Sequence, residues 1–339
     1  MPPGGAVHHG RMPAELDGLL STAQVFAIRL VERFRGVRVR EGILLRGPAG
    51  WAEFAPFRDY PDAECVPWLL AAVESATTPW PDRLRDRVEV NTTVPVVVAE
   101  RAAELVRAAG CRTAKIKVAD PRVDLAADAD RVAAVRDALG PGGRIRIDAN
   151  AAWTVPQALI AIEVLDAAAG GLEYVEQPCA ALADLAMVRS SVRPPIAADE
   201  SIRRATDPAR VALAGAADIA VIKVAPLGGV RAALRIAAAA GLPVVVSSAV
   251  DSSVGLAAGL ALAAALPALP YACGLGTATL LTADVTSGSL VPVDGFLAVP
   301  GRAPQPDRLS EVGADRPTTA FWLDRLRRVA ALVPDGRRV

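Results

Sequence analysis

The feature that most constrains the fold is a repeat of short apolar segments that each end in charged residues. Five copies cover residues 113–118, 144–150, 172–177, 195–200 and 217–224. Between them lie segments, such as 124–139 and 155–169, whose apolar residues recur at helical spacing. The charged ends recur every 23 to 31 residues, which is the length of one strand–helix unit. Units of this length in series predict a parallel sheet, either open or closed.

The number of these units favours a closed barrel. A strand predicted at 88–94 precedes the five segments, and strands predicted at 242–248 and 271–276 follow them. Eight strands make a (β/α)8 barrel, so we expect an α/β fold of this type. An open doubly wound sheet is the alternative, but its glycine-rich phosphate-binding turn after the first strand is missing from this sequence.

The segments on either side of the repeat predict a smaller α+β cap. Residues 25–30 and 42–46 are predicted antiparallel strands separated by an arginine-rich segment, and residues 63–76 and 80–86 are predicted helices. An aromatic cluster at 51–60 is a predicted loop, which serves equally well as cap packing or as a lid over a substrate. The predicted divisions are a loose leader (1–13), a cap (14–87), a barrel (88–290) and a tail (291–339) whose helix at 319–332 packs back on the cap.

Composition and charge exclude several classes of protein. The 339 residues are 52% hydrophobic, and 37 basic residues balance 37 acidic residues without a long basic run, so no nucleic-acid or membrane partner is expected. The apolar tract at 254–269 is too short for a membrane span, which favours a buried barrel helix. The four cysteines lack metal-type spacing and are expected to be reduced in a cytoplasmic protein. A small-molecule substrate is the expected partner, and the oligomeric state stays open.

Side-chain alternation places the charged residues of the repeat inside the predicted barrel. Alternate residues of a strand share one face. The intervening apolar residues, such as Ile116, Ile147 and Ile222, are then expected to face the outer helices. The inward set lies at the carboxyl ends of the strands, where barrel enzymes hold their catalytic groups. Its members are Lys115, Lys117, Arg146, Asp148, Asn150, Tyr174, Glu176, Asp199 and Lys223.

Three carboxylates in this set predict a metal site. Asp148, Glu176 and Asp199 come from the third, fourth and fifth strands, so their side chains are expected to converge on one side of the barrel mouth. Oxygen ligands without His or Cys suit Mg²⁺ or Mn²⁺ and argue against Zn²⁺. A single carboxylate at a strand end is often structural, because it pairs with an arginine or caps a helix. Three on successive strands, flanked by lysines, are hard to explain in that way.

Lysines on the second and sixth strands predict the chemistry. In an eight-stranded barrel, Lys117 and Lys223 would lie on opposite sides of a substrate bound to the metal. A divalent cation that binds a substrate carboxylate stabilises the enediolate formed when the α-proton leaves. The lysine that takes this proton must be partly neutral, with a pKa lowered toward ~7–8. Lys115 and the metal supply the like-charge repulsion that lowers it.

These residues resemble those of the enolase superfamily, in its muconate-lactonising subgroup. The resemblance covers most of the chain and rests on Lys115-x-Lys117, Asp148-Ala-Asn150, Glu176-Gln-Pro178, Asp199-Glu200 and Lys223. It implies a modified (β/α)7β barrel with an α+β capping domain. Segments 34–36, 51–57, 247–255 and 272–277 are most similar to the o-succinylbenzoate synthases of menaquinone biosynthesis, of the short actinobacterial type. Ala52 departs from this pattern, which leads us to expect glycine there.

The resemblance implies a Mg²⁺-dependent syn dehydration of 2-succinyl-6-hydroxy-2,4-cyclohexadiene-1-carboxylate to o-succinylbenzoate and water. It implies that Lys117 takes the proton at C1 and passes it to the departing hydroxyl, while Lys223 acts as a stabilising cation across the ring. Asp148, Glu176 and Asp199 are then the metal ligands. Further candidates for substrate contact are Arg146, Asn150, Ser247, Ser248, Gly274 and, in the lid loop, Phe57, Arg58 and Tyr60.

Three other functions stay open from the sequence. Racemisation of N-acylamino acids would use Lys117 and Lys223 as two opposed bases. Muconate cycloisomerisation or dipeptide epimerisation is a second reading, although an epimerase would be expected to carry Asp-x-Asp where Gly274-Leu-Gly276 stands. The third is a catalytically inactive barrel used for binding, which the complete set of ionic residues disfavours.

Overall fold

The computed structural model describes residues 14–34, 36–203 and 215–333, and the predicted leader at 1–13 lies outside this part of the chain. The described chain begins with an α+β cap whose three strands form an antiparallel sheet in sequential order. Its elements are helix α1 (Ala14–Leu20), strands β1 (Gln24–Phe34), β2 (Val37–Gly47) and β3 (Gly50–Phe54), and helix α2 (Asp62–Thr77).

The cap strands are longer than the sequence predicted. The arginine-rich segment does not separate two short strands but extends β1 and β2 to a turn at Gly36, whose φ of 81° favours glycine. Arginine stems can cover a sheet while their charged ends stay in water, which is why a charged segment can still be strand. The predicted aromatic loop is also shorter than expected, because its first residues form β3.

A seven-stranded parallel sheet forms the wall of the barrel, with neighbours in strict chain order. The sequence predicted one strand at 88–94, but two short strands are found there. The first, β4 (Arg87–Glu89), pairs antiparallel with a strand of the tail (Phe296–Ala298). The barrel strands are β5 (Thr92–Val94), β6 (Thr113–Lys117), β7 (Arg144–Asp148), β8 (Tyr174–Glu176), β9 (Ile196–Ala198), β10 (Ile219–Ile222) and β11 (Val244–Val246). The tail strand Phe296–Ala298 is β12.

The predicted eighth strand closes the ring only through isolated bridges. Gly274 forms a parallel bridge with Ser247 beyond β11, and Cys273 forms one with Val90 beside β5. The amide of Cys273 donates to the Glu89 carbonyl at 2.7 Å, and the Gly274 amide donates to the Val246 carbonyl at 2.8 Å. The barrel is therefore closed at both edges of the seven-stranded sheet, and the prediction of eight parallel segments is confirmed.

Helices follow the strands and pack against their outer faces. The helices predicted around 124–139 and 155–169 are present, and each starts at a residue that caps it: Asp124 accepts from the Ala127 amide, and Thr154 forms a capping box with Gln157. The helices that follow the barrel strands are α3 (Ala99–Ala109), α4 (Leu125–Leu139), α5 (Val155–Ala169), α6 (Leu182–Ser191), α7 (Glu200–Arg203), α8 (Val230–Ala240) and α9 (Ser253–Ala265). The tail adds α10 (Leu309–Val312) and α11 (Arg316–Ala331).

The tail helix packs on the cap, as the sequence predicted. Trp322, Leu326 and Val329 of α11 share a buried cluster with Phe54 of β3 and Trp68 of α2. The Trp322 ring meets the Phe54 ring edge-on at a centroid distance of 6.3 Å. The two ends of the described chain are thus joined in one apolar core.

Of the remaining predictions, the helix at 80–86 is wrong, and the buried helix in the apolar tract at 254–269 is confirmed. Residues 80–86 are not helical, because their backbone bonds to distant segments: the Leu84 amide donates to the Ala264 carbonyl at 2.8 Å, and the Asp86 carbonyl accepts from the Val299 amide at 2.8 Å. The apolar tract after Ser252 is the almost wholly buried helix α9, as predicted. All four cysteines are buried and free. In the described chain, no helix is both long enough and apolar enough to cross a membrane.

Candidate active site

The carboxyl ends of β6 to β10 bring the predicted ionic residues together. Strand register pairs Lys117 with Asp148, and Asp148 with Glu176, across three neighbouring strands. Asp199 follows β9 directly, and Lys223 follows β10. All of these residues are at most 7% exposed. Residues that the sequence places between 115 and 223 are therefore neighbours in space because each ends a parallel strand.

The alternation predicted from the sequence is confirmed by the burial of the intervening residues. Ile116, Ile147 and Ile222 belong to the large apolar core between the sheet and the helices. The opposite strand faces fill the inside of the barrel with a second cluster formed by Tyr174, Ala197, Ile219, Val221 and Val245. This packed floor lies on the same inward face as the ionic residues, so those residues sit on a filled barrel and not over a channel.

Each of the three ammonium groups contacts at least one of the three carboxylates. Lys115 Nζ lies 3.1 and 3.2 Å from the two carboxylate oxygens of Glu176 and 3.5 Å from Asp148 Oδ2. Lys117 donates to Asp148 Oδ2, and Lys223 Nζ lies 2.5 Å from Asp199 Oδ2. The formal charges of this buried cluster cancel, which is the usual condition for keeping ions away from water.

The electrostatic effect of this arrangement differs from group to group. Burial raises the pKa of Glu176 to about 7, and the negative charge of Asp148 adds to the rise while Lys115 opposes it. Burial alone would also raise the pKa of Asp148, but Lys117 and Lys115 hold it below its usual range. For Lys115, Glu176 and Asp148 outweigh burial and raise its pKa above the ordinary value. The same cluster therefore raises the proton affinity of Glu176 and lowers that of Asp148.

A narrow cavity of about 20 Å³ opens above the ionic cluster. Lys115, Lys117 and Lys223 all line it, so both lysines proposed to face the substrate reach the same space. The three carboxylates lie behind the ammonium groups. Ser247, Ser248 and Gly274, predicted as substrate contacts, are also in the cavity wall. A Cβ atom on Gly274 would lie 2.6 Å from Ser247 Oγ, so this wall requires glycine.

The cap supplies two rings to the cavity. Phe34, at the end of β1, lies over Lys117 with its ring centroid 5.1 Å from Nζ, and Phe57 lines the cavity from the lid segment, which we define as residues 55–60. The other two predicted lid residues do not line it. Arg58 pairs with Glu41 at 2.8 Å on the surface, and Tyr60 packs its ring against Phe57 at 5.5 Å. The aromatic segment therefore serves both readings of the sequence, cavity lining and cap packing.

The structure does not bring Arg146 to the cavity. Its fully buried guanidinium lies 2.5 Å from Glu173 Oε2, donates to the Ala272 carbonyl at 2.7 Å, and stacks on Tyr174. This ion pair and hydrogen bond hold it inside the barrel and argue against the predicted contact with substrate. Asn150 does reach the ionic cluster, where its Oδ1 accepts from Lys117 at 2.9 Å.

Several cavity residues were missed by the sequence interpretation. They are Phe34, Thr93, Ala249, Val250 and Thr277. Thr93 lies within the first barrel strand, β5, and Thr277 follows the predicted eighth strand at 271–276, so small polar residues on or just after a barrel strand were the available signal. A stronger signal was overlooked: the chain contains only three lysines, and all three lie in this site.

The three carboxylates fit a divalent cation by their chemistry, although they are not arranged around one. In the described residues, no group of three or more His, Cys, Asp or Glu side chains could hold a metal as it stands. The reason is that lysine ammonium groups lie against Asp148, Glu176 and Asp199 and supply the positive charge. Buried, adjacent, oxygen-only donors suit Mg²⁺. The ligand assignment stays a prediction.

Comparisons with known proteins agree with this architecture. Residues 97–304 match the family described as enolase C-terminal domain-like, and residues 25–76 match the one described as enolase N-terminal domain-like. The chain is 58% identical over 305 residues to o-succinylbenzoate synthase of Thermobifida fusca (strain YX), covering 90% of this chain and 95% of that protein. It is 52% identical over 319 residues to o-succinylbenzoate synthase of Mycolicibacterium smegmatis, covering 94% of this chain and 98% of that protein.

Solved structures share the fold at lower identity. An L-Ala-D/L-Glu epimerase from Bacillus subtilis matches with a TM-score of 0.71 and 26% identity, covering 83% of this chain and 96% of that one. A muconate lactonizing enzyme from Pseudomonas fluorescens, complexed with muconolactone, matches with a TM-score of 0.71 and 23% identity, covering 88% of this chain and 97% of that one. The second likeness concerns the fold alone.

Proposed function

We infer that this chain, which belongs to the enolase superfamily, is a hydro-lyase that forms o-succinylbenzoate. The observation that carries this conclusion is the identity of 51–58% to curated o-succinylbenzoate synthases over at least 90% of the chain. The reaction removes water from 2-succinyl-6-hydroxy-2,4-cyclohexadiene-1-carboxylate, and its product belongs to menaquinone biosynthesis. Aromatisation of the ring makes the step favourable, so the enzyme has only to lower the barrier to loss of a weakly acidic proton.

Lys117 is the general base and acid in this proposal. Its amine takes the proton at C1, the bond between C6 and the hydroxyl breaks, and the same lysine returns the proton so that water leaves. One residue on one ring face can perform both transfers because the elimination is syn. Support comes from its position in the cavity wall, with Asn150 Oδ1 2.9 Å from Nζ to orient it.

Asp148, Glu176 and Asp199 are the proposed ligands of Mg²⁺. When bound, the cation supplies positive charge against the negative charge that builds on the substrate carboxylate, and it favours the neutral form of Lys117 by repulsion. Mn²⁺ has the same ligand preference. The observation that supports this assignment is that the three buried carboxylates come from adjacent strands and each lies against a lysine ammonium group.

The remaining cavity residues fit an aromatic dicarboxylate. Lys223 is the proposed stabilising cation across the ring, since it lines the same cavity as Lys117. Lys115 stays protonated and contributes charge only. Ser247, Ser248 and the backbone at Gly274 are the proposed contacts of the succinyl chain, because they line the same cavity as Lys117 and Lys223. Phe34 and Phe57 exclude water from the reacting face.

Racemisation of N-succinylamino acids is a second candidate activity. The observation that favours it is that Lys117 and Lys223 line one cavity, so a bound α-carbon could exchange its proton on either face. Such an activity would need both lysines as bases, whereas the dehydration needs only Lys117 in that role.

A comparison of both substrates tests the proposal. Purified enzyme with Mg²⁺ is given the cyclohexadiene carboxylate, and the product is identified by its aromatic proton resonances; N-succinylamino acids are tested in D2O for exchange at the α-carbon. We expect kcat/KM for dehydration to exceed that for racemisation, and Lys223→Ala to abolish racemisation. Racemisation without any dehydration would overturn the proposed function.

A further inference from the structure

A buried arginine of the cap contacts two walls of the cavity at once. Arg40 lies in β2 and is only 2% exposed. It is not part of the ionic cluster and does not line the cavity. Its guanidinium instead reaches the lid segment on one side and, on the other, residues 247–252, which we call the strand-seven loop.

The strand-seven loop is held through a backbone carbonyl. Arg40 Nε donates to the Val250 carbonyl at 3.1 Å. Val250 has a φ of 62°, a conformation that is strained for a β-branched residue and persists only where its surroundings impose it. The same loop carries Ser247 and Ser248, the proposed contacts of the substrate. A donor on the Val250 carbonyl therefore helps to fix the conformation of this cavity wall.

The lid segment is held through a carbonyl and a ring. Arg40 donates through its second terminal nitrogen to the Ala55 carbonyl. Its guanidinium also stacks over the Phe57 ring at 5.0 Å from the centroid, and Phe57 is the lid residue that lines the cavity. A planar fork that stacks and donates in several directions at once is particular to arginine, since lysine offers one point charge.

The charges around Arg40 complete this connection. Asp251 Oδ1 of the strand-seven loop lies 3.8 Å from the guanidinium, and Glu53 of β3 accepts from the backbone and hydroxyl of Ser252. Burial raises the pKa of Asp251, and the positive charge of Lys223, on the barrel side, opposes this rise. Two carboxyl groups therefore face one guanidinium, and the excess negative charge is relieved because burial, with Asp251 adding to it, raises the pKa of Glu53 to about 8.

We propose that Arg40 is a positioning residue that sets the distance between the lid segment and the strand-seven loop and thereby shapes the cavity for the substrate. The proposal rests on the proposed function only in so far as that cavity binds the substrate of the dehydration. Arg40 acts through Phe57 and Val250 and touches no reacting atom.

The test compares Arg40→Lys with a matched control, Arg136→Lys. Arg136 also donates to three backbone carbonyls, of Ala169, Gly140 and Gly143, but these lie outside the cavity. Amide hydrogen exchange of peptides covering 55–60 and 247–252 is measured for the wild type and both variants, together with kcat and KM for the dehydration. We expect Arg40→Lys to speed exchange in both peptides and to raise KM about ten-fold with a smaller change in kcat. Arg136→Lys is expected to change neither the two peptides nor KM.

The outcomes separate positioning from a general loss of stability. Faster exchange throughout the cap and barrel, or unchanged KM with faster exchange in the two peptides, would overturn the proposal. If Arg40→Lys does not fold, Phe57→Leu replaces it, because this variant removes the ring on which the guanidinium stacks. Hydrogen exchange is then expected to become faster in both peptides. Faster exchange in 55–60 alone would contradict the proposal. Hydrogen exchange does not depend on turnover. A wild type without dehydratase activity would therefore refute the proposed function, while hydrogen exchange would still test whether Arg40 connects the lid segment to the strand-seven loop.

Discussion

Lys115 Nζ lies almost equally far from the two carboxylate oxygens of Glu176, at 3.1 and 3.2 Å, in the fully buried centre of the site. The pairing leaves Lys115 firmly protonated, because Glu176 and Asp148 raise its pKa above the ordinary value despite burial. Lys115 is therefore unsuited to take a proton from the substrate. Its role in the proposed mechanism is to add positive charge beside Lys117.

The charge of Lys115 can be measured directly because the chain contains only three lysines. Protein labelled with ¹⁵N in lysine alone is expected to give three side-chain nitrogen signals. One of them, assigned with Lys115→Arg, should remain in its protonated position at pH 10.5, where an ordinary lysine is half deprotonated. Three signals that all titrate at or below the ordinary pKa would contradict the pairing described here.

Glu176→Gln tests the proposed metal ligands without changing the size of the side chain. Loss of the negative charge should weaken Mg²⁺ binding and lower turnover at least about 100-fold. Calorimetric titration with Mg²⁺ and the dehydration assay check the two effects. Asp128→Asn is the matched control, because Asp128 is also a buried carboxylate paired with a basic residue, Arg131, but lies on α4. It should lower the melting temperature and leave the response to Mg²⁺ intact.

Lys117→Ala tests the base. Removal of a general base typically costs about 10²- to 10⁴-fold in rate, and the product affinity should change much less because the cavity is still present. Single-turnover dehydration and calorimetric binding of o-succinylbenzoate give the two values. Retained exchange of the C1 hydrogen with solvent in Lys117→Ala would assign the base elsewhere.

Glu53→Gln tests the proton held between the cap and the barrel. Burial and Asp251 raise the pKa of Glu53 from 4.5 to about 8, so the folded state binds this proton more tightly than the unfolded state. Stability from this group is complete below pH 4.5 and is lost as the pH rises to about 8, at about 1.4 kcal/mol for each pKa unit. Glutamine keeps the neutral form at every pH. The melting temperature of Glu53→Gln relative to the wild type should therefore increase from pH 5 to pH 8.5, and a constant difference would rule out the protonated carboxyl.

Much of the site was predictable because strand alternation and strand ends follow directly from the sequence. The period of two placed Lys117, Asp148 and Glu176 on one inward face, and the βα repeat placed them on adjacent strands. That reasoning needs only local pattern and the rule that catalytic groups lie at the carboxyl ends of barrel strands.

The rest depended on contacts between distant segments. Nothing local indicates that Arg40 donates to Val250, 210 residues away, or that Val250 adopts a positive φ. Arg146 was misplaced for the same reason: its inward face was predicted correctly, but its ion pair with Glu173 was not. The pattern of a strand gives the side of the sheet on which a residue lies, and only the packed structure gives its partners.

The most direct test of the account is an ultraviolet assay of o-succinylbenzoate formation from the cyclohexadiene carboxylate, with Mg²⁺ and then with EDTA. We expect rapid turnover with Mg²⁺ that falls to the uncatalysed rate in EDTA and returns when excess Mg²⁺ is added. Equal turnover in EDTA would contradict the role of Asp148, Glu176 and Asp199, and no turnover with Mg²⁺ would contradict the dehydration itself.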